Sequence, residues 1–389
     1  MKKKINYGSQ FIDLDDINSV KKSLTNELIT SGNLVKKFED KISNYTKAKF
    51  SITCNNGTSA IYLALKSIDL KKNDIVIMPS INFISSFNVV KILGAKPVLC
   101  DVDYLTGQIN YEKIVECIKN NKIKKIKAII LMYNGGYVYN TKKIFNLKKR
   151  YKFYLIEDAC HALGSSYENI NKENKIGSCK YSDISTFSFH PLKSITTGEG
   201  GLVQTNNKEI YQKIFKLRSH GIQRRKNHWD YDVVYNSLNF RLSDINCALG
   251  ISQLKKLNYF LYKRKEIFLK YLNAFDHYEN YIKILYNKSN YKNSYHLVIA
   301  LINFDNLKIN KDKFLQSLVR KKIFCQYHYI PIYNFTIYKK SKAVDKKNFK
   351  GTERYFKQAI SLPIHVKLTN SEQKYIISTL IRLINKFKI

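Results

Sequence analysis

Short apolar runs of strand length, alternating with stretches of helical spacing, constrain this chain more than any other feature. Seven such runs fall in the first two-thirds, at 51–54, 75–79, 97–102, 128–132, 154–158, 184–189 and 201–205. The first five are separated by segments whose apolar residues recur every three or four positions, as in 86–93 and 111–119. Strands alternating with helices predict an α/β fold, a mostly parallel seven-stranded sheet covered on both faces. The last two runs lie too close for a crossover helix, so one of them is expected to run antiparallel. A long helix is predicted over 245–264, with apolar residues at Ile245, Leu249, Leu254, Leu257 and Leu261. It leads out of a large domain, 1–261, into a smaller C-terminal α+β domain, 262–389. There the pattern reads helix 265–275, strand 296–301, helix 311–321, strand 325–329 and a final helix 371–388.

Composition removes several function classes. The formal net charge of +37 invites a nucleic-acid reading. The lysines, however, are spread along the whole chain, no compact basic block is interleaved with aromatics, and no nucleic-acid-binding motif is present. Solvated lysines on most faces are the simpler account, and no nucleic-acid partner is expected. The 7 cysteines include no Cys-x-x-Cys pair, so neither a disulfide framework nor a zinc site is expected, and no metal. No apolar run reaches the length of a membrane span, and the basic start at Met1 is not followed by an apolar segment. These features predict a cytoplasmic protein with reduced thiols and no membrane partner.

Three segments carry chemistry. In Phe187-Ser188-Phe189-His190-Pro191-Leu192-Lys193, a lysine follows one strand and precedes a glycine cluster and the next strand. A lysine held there can form an imine with a carbonyl. In Leu155-Ile156-Glu157-Asp158-Ala159-Cys160-His161, an apolar strand ends in a carboxylate. At the C-terminal end of a central strand, Asp158 can face the crevice of an open sheet; capping the next helix is an equally good local reading. In Asn55-Asn56-Gly57-Thr58-Ser59, small residues precede a helical pattern, which makes either an anion site or a turn with an N-cap. The three together, in this order and each at a strand end, are far more specific than any one.

Taken in that order, these segments resemble the DegT/DnrJ/StrS family of sugar aminotransferases, pyridoxal 5'-phosphate enzymes of fold type I. The resemblance runs from Ile29-Thr30-Ser31-Gly32 to about Pro331 and includes 78–88, 94–103, 217–221 and 238–250. It implies that Lys193 binds the cofactor aldehyde and, once displaced, serves as general base. Relatives that carry histidine there are dehydratases, so the lysine favours amino transfer. It further implies that Asp158 pairs with the pyridine nitrogen, that His161 orients Asp158 or the ring oxygen, and that Phe83 stacks on the ring. The phosphate falls to the backbone of Gly57, Thr58 and Ser59 and to the Ser188 hydroxyl. A second subunit is expected to complete that site through Asn239 or, second, Arg241, making a homodimer with shared active sites part of the mechanism. Arg218, His220 and Arg241 are candidates for a sugar-nucleotide pyrophosphate, and His328 and Tyr329 for other substrate contacts.

Segments 188–201, 218–221, 239–257 and 326–333 look most like family members that act on UDP-sugars. The expected reaction is transfer of an amino group, from glutamate, to C4 of a UDP-linked 4-keto-6-deoxy-N-acetylhexosamine. Amination of another nucleotide-linked sugar, such as a dTDP-3-keto or 4-keto hexose, is the alternative, and a non-catalytic regulatory homologue a further one.

Overall fold

The computed structural model describes residues 4–168, 174–227, 229–286, 291–339 and 345–389; most of the basic start, Met1 to Lys3, lies outside them. Its centre is a seven-stranded sheet built from β1 (Phe50–Cys54), β2 (Ile75–Pro79), β3 (Lys96–Cys100), β4 (Ala128–Met132), β5 (Tyr154–Asp158), β6 (Ile184–Ser188) and β7 (Gly201–Thr205). The strand order is β1-β7-β6-β5-β4-β2-β3. All neighbours are parallel except β7, which pairs antiparallel with both β1 and β6. The antiparallel strand is thus the second of the two closely spaced runs.

Alternation along each strand explains why the runs are almost wholly apolar. Ile129 and Leu131 of β4 belong to one core, shared with Leu155, Phe187 and Leu202. Ala128 and Ile130 belong to the other, shared with Val76, Met78 and Ile156. Helices such as Gly57–Ser67 and Ser85–Ile92 cover the second face. Each Ile or Leu buried in this way contributes about 1.5–3 kcal/mol, so a strand with two buried faces has little room for polar residues.

The same period of two turns Glu157 and Asp158 to opposite sides. Glu157 is fully buried and accepts hydrogen bonds from the hydroxyls of Tyr133 (2.5 Å), Tyr167 (2.6 Å) and Ser185. Asp158 faces the other way, into the crevice at the C-terminal ends of the parallel strands.

Two expectations change. The single helix predicted over 245–264 is two, Asp244–Lys255 and Leu257–Ala274, broken at Lys256. The Lys256 amine is drawn to Asp13 and Asp16, 2.6 Å from each, and Asp16 is wholly buried. The expected domain boundary at 261/262 falls inside the second helix. The smaller sheet is antiparallel and three-stranded, Ile282–Ile284, Val298–Ile302 and Ala359–Leu362. It packs with helices Lys311–Arg320 and Asn370–Phe387.

No strand forms over the predicted 325–329; the nearest, Ile323–Phe324, precedes it and pairs in parallel with Ile5–Asn6. Beyond it a single bridge, Gln326 to Ser361, remains. There the chain leaves the ladder because other partners take it: Tyr355 donates its hydroxyl to the His328 carbonyl (3.0 Å), and His328 Nδ1 meets Ser361 Oγ at 2.8 Å. Among the described residues no helix is long and apolar enough to cross a membrane, and no cluster of His, Cys, Asp or Glu could hold a metal ion.

Candidate active site

The C-terminal ends of β1, β5 and β6, together with the segment after β2, open onto one cavity of about 340 Å³. Gly57, Thr58, Phe83, Asp158, His161, Ser188, Lys193, His328 and Tyr329 all line it. Residues spread over more than two-thirds of the sequence therefore meet at the edge where open α/β sheets bind ligands.

The helix Gly57–Ser67 begins at the cavity, with Asn56 as its N-cap. Asn56 Oδ1 accepts the Ser59 N–H at 2.8 Å, leaving the first-turn N–H groups of Gly57 and Thr58 for a ligand. Ser59 itself is buried and does not line the cavity, so the expected cradle narrows to Gly57, Thr58 and Ser188. Glycine is required at 57: a Cβ there would lie 2.8 Å from the Cβ of Ser188 and 3.3 Å from its hydroxyl. The close approach brings a helix N-terminus and a hydroxyl together, which suits an anion.

Asp158 is buried, and its Oδ1 accepts the Cys160 N–H at 3.3 Å. Burial raises its carboxyl above the usual range, opposed by hydrogen bonds from Cys160 and by the Lys193 charge. Lys193 follows β6 in a turn closed by its own N–H to the His190 carbonyl, 2.8 Å. Desolvation lowers its amine below the ordinary lysine value, against the pull of Cys160 and Asp158. A lysine depressed in this way has more free amine at neutral pH, which nucleophilic attack and proton abstraction both need. Phe83 is 55% exposed at the cavity, so much of its ring is left for a ligand.

Of the two expected partners of His161, Asp158 is not one in this structure. The histidine's Nδ1 accepts the Gly135 N–H (3.3 Å) and its Nε2 meets the Tyr329 hydroxyl (2.9 Å). Burial first, then Lys193 and neighbouring histidines, hold it well below the usual histidine range, so it is neutral. Gly135 adopts φ +73, and a Cβ there would press to 2.7 Å on the Tyr137 ring.

Arg218, His220, Asn239 and Arg241 do not line the cavity of this protomer. Arg218 Nη1 pairs with Glu39 Oε1 at 2.6 Å, with both side chains largely buried. Removing one partner of such a pair strands the other charge, at a cost of about 3 kcal/mol, so this arginine ties the fold together. Arg241 Nη1 donates to Ser219 Oγ (2.6 Å), Asn239 Oδ1 accepts the Arg241 N–H (3.1 Å), and His220 is exposed.

The cavity also has walls that motif reading did not single out: Tyr7, Asn82, Cys160, His190 and His296. Asn82 and His190 sit beside Phe83 and Lys193 and could have been inferred from them. Nothing local marks Tyr7 or His296. The latter reaches the site because Gly135 also accepts its N–H (3.0 Å), which sets its ring 4.1 Å from that of His161.

Sheet order and site geometry define a transferase of fold type I, the aspartate-aminotransferase architecture. The DegT/DnrJ/EryC1/StrS aminotransferase family model matches residues 10–381, and the chain belongs to that family. It is 38% identical over 387 residues to the UDP-4-amino-4,6-dideoxy-N-acetyl-beta-L-altrosamine transaminase of Campylobacter jejuni strain 81-176, covering 99% of this chain and 98% of that one. The solved structure of Helicobacter pylori PseC, an aminotransferase involved in the biosynthesis of pseudoaminic acid, superposes with a TM-score of 0.89 at 29% identity, over 99% of this chain and 100% of that one. The PLP form of the putative sugar aminotransferase Spr1654 from Streptococcus pneumoniae gives 0.90 at 28% identity, over 99% of each chain.

Proposed function

We propose that this chain is a pyridoxal-phosphate-dependent aminotransferase that places an amino group, from glutamate, on C4 of a UDP-linked 4-keto-6-deoxy-N-acetylhexosamine, a step of pseudaminic acid synthesis. The observation that carries the chemistry is the convergence of Lys193, Asp158 and the Gly57–Ser188 cradle on one cavity. The donor set fits the cofactor: an anion cradle for its phosphate, a buried carboxylate for its ring nitrogen, an open aromatic face for its ring and an amine for its aldehyde. When bound, the cofactor supplies a carbonyl for that amine and a ring that takes up electrons from the reacting carbon.

The protein's part is acid–base work and positioning. Lys193, with its lowered amine, takes a proton from one carbon and returns it to another. Asp158 keeps a positive charge favourable opposite it. Burial holds His161, His296 and His328 neutral beside Lys193, so none of these three competes with the amine as proton carrier. Both the raised Asp158 carboxyl and the lowered Lys193 amine need to be deprotonated for these roles, so activity falls as pH drops through either.

The choice of sugar rests on full-length similarity to the Campylobacter transaminase. Assaying UDP- and dTDP-linked 3-keto and 4-keto sugars with glutamate, with product mass spectrometry, tests it. We expect the UDP-4-keto-6-deoxy-N-acetylhexosamine to give the highest kcat/KM; preference for a dTDP sugar would overturn the assignment while leaving the chemistry intact.

A homodimer with shared sites is part of the same reading. Leu238, 62% exposed, adjoins Asn239, and Tyr231, 58% exposed, lies on the hairpin Ile222–Arg224/Tyr231–Val233 that precedes it, uncovered apolar surface that supports burial against a second copy. Mixing inactive Lys193→Ala chains with inactive Asn239→Ala chains, after subunit exchange, should restore up to about a quarter of wild-type activity, since one hybrid site in two is intact and half the dimers are hybrid. No recovery after verified exchange would place Asn239 in its own protomer's site.

A further inference from the structure

The hydrogen bonds of His161 decide where its proton sits. A backbone N–H can only donate, so the nitrogen that receives the Gly135 N–H, Nδ1, must carry a lone pair. In a neutral imidazole the proton is then on Nε2, the nitrogen 2.9 Å from the Tyr329 hydroxyl. That hydroxyl therefore accepts from His161, and its own hydrogen must turn elsewhere. Tyr329 lines the cavity beside Asp158 and Lys193, with its ring 6.0 Å from that of Phe83. Among the described residues this hydroxyl has no other hydrogen-bond partner, and the residue lines a cavity whose occupant can supply an acceptor.

We propose that Tyr329 donates a hydrogen bond to an oxygen of the molecule bound between Asp158 and Lys193, and that His161 is the positioning residue that aims it. The acceptor is a ring or carbonyl oxygen, belonging either to the cofactor or to the keto sugar. This deepens the proposed function and rests on it.

The surroundings keep the arrangement in one protonation state. The groups facing His161 are His296, His328, Lys193, Arg264 and Tyr329, and none of them is an anion that would draw a second proton to it. Burial also holds the Tyr329 hydroxyl well above the ordinary tyrosine value, so it remains a donor. The aim is braced from both sides. Gly135 binds His161 through its N–H and His296 through its carbonyl. On the other side the preceding residue, His328, is held by Tyr355 and Ser361. Tyr329 comes from the smaller sheet's side of the molecule and His161 from the larger, so this bond also joins the two across the cavity.

The first arm of the test uses nitrogen-15 NMR of the histidine side chains in the cofactor-free chain, assigned with His161→Gln. We expect the Nε2-protonated tautomer for His161, unchanged from pH 5.5 to 8.5. A proton on Nδ1, or titration in that interval, would overturn the aiming mechanism whatever the enzyme's activity. The second arm compares Tyr329→Phe with wild type after loading with pyridoxal phosphate. We expect kcat/KM to fall about 10²-fold, as when one preorganised donor is removed. If the acceptor is the cofactor's oxygen, the pH midpoint of its absorbance shifts in the absence of sugar. If it is the sugar's, the spectrum is unchanged and KM for the sugar rises about tenfold or more. Tyr329→Phe with wild-type spectrum and wild-type KM would refute the donor role. Failure of the underlying functional reading looks different: wild type itself would take up no cofactor.

Discussion

Lys193→Ala should abolish turnover, lowering kcat/KM by at least about 10³-fold, because one amine is both the attachment point and the proton carrier. The fold should survive. The amine sits where desolvation disfavours its charge, an effect larger than the opposing attraction of Cys160 and Asp158, so deleting it costs the fold little. The variant should therefore keep the wild-type circular dichroism and melting behaviour. Borohydride reduction of the cofactor-loaded wild type, followed by peptide mapping, should put a pyridoxyl group on the Lys193 peptide and on no other. Labelling at another of the chain's many lysines would move the chemistry away from the end of β6.

Asp158→Asn is expected to lower kcat by on the order of 10²–10³, the range seen when a single preorganised electrostatic partner is removed from a reacting centre. Cofactor binding should weaken far less, since the phosphate cradle at Gly57, Thr58 and Ser188 is built from other elements. The separation is measurable, with cofactor affinity by fluorescence titration and kcat by steady-state assay. An Asp158→Asn enzyme with undiminished kcat would show that the carboxylate only caps the Ala159–Cys160 turn through its bond to the Cys160 N–H.

How much of this could be read beforehand depended on how local the physics was. The seven strands were legible because both of their faces are buried, which forces nearly continuous apolar runs such as Ala128–Met132. The break at Lys256 was not legible, because no glycine or proline marks it and the partners of its amine, Asp13 and Asp16, lie more than 200 positions away. The strand Ala359–Leu362 has only four residues wedged against a preceding helix, too short for periodicity to register.

In the site, Lys193, Asp158, Gly57 and Ser188 each follow or begin a sheet element, so their positions could be inferred from strand ends. That the Ser59 N–H is taken up by Asn56 was not legible, being a detail of backbone geometry rather than of residue type. Arg218 carried a charge that suited a pyrophosphate, but Glu39, on a different helix, had already claimed it. His296 and Tyr7 left no trace in the pattern, since each reaches the cavity only through tertiary contacts.

The pairing of Ile5–Asn6 with Ile323–Phe324, and the bond from the Ile364 N–H to the Tyr7 carbonyl, 2.9 Å, tie one segment to others made more than 300 residues later. During synthesis the large sheet can form well before its partner segments leave the ribosome. Until then the cavity lacks the walls that His296, His328 and Tyr329 supply, and Ile5–Asn6 has no strand to pair with. The cavity is therefore complete only once the segment carrying His328 and Tyr329 has been made and has docked.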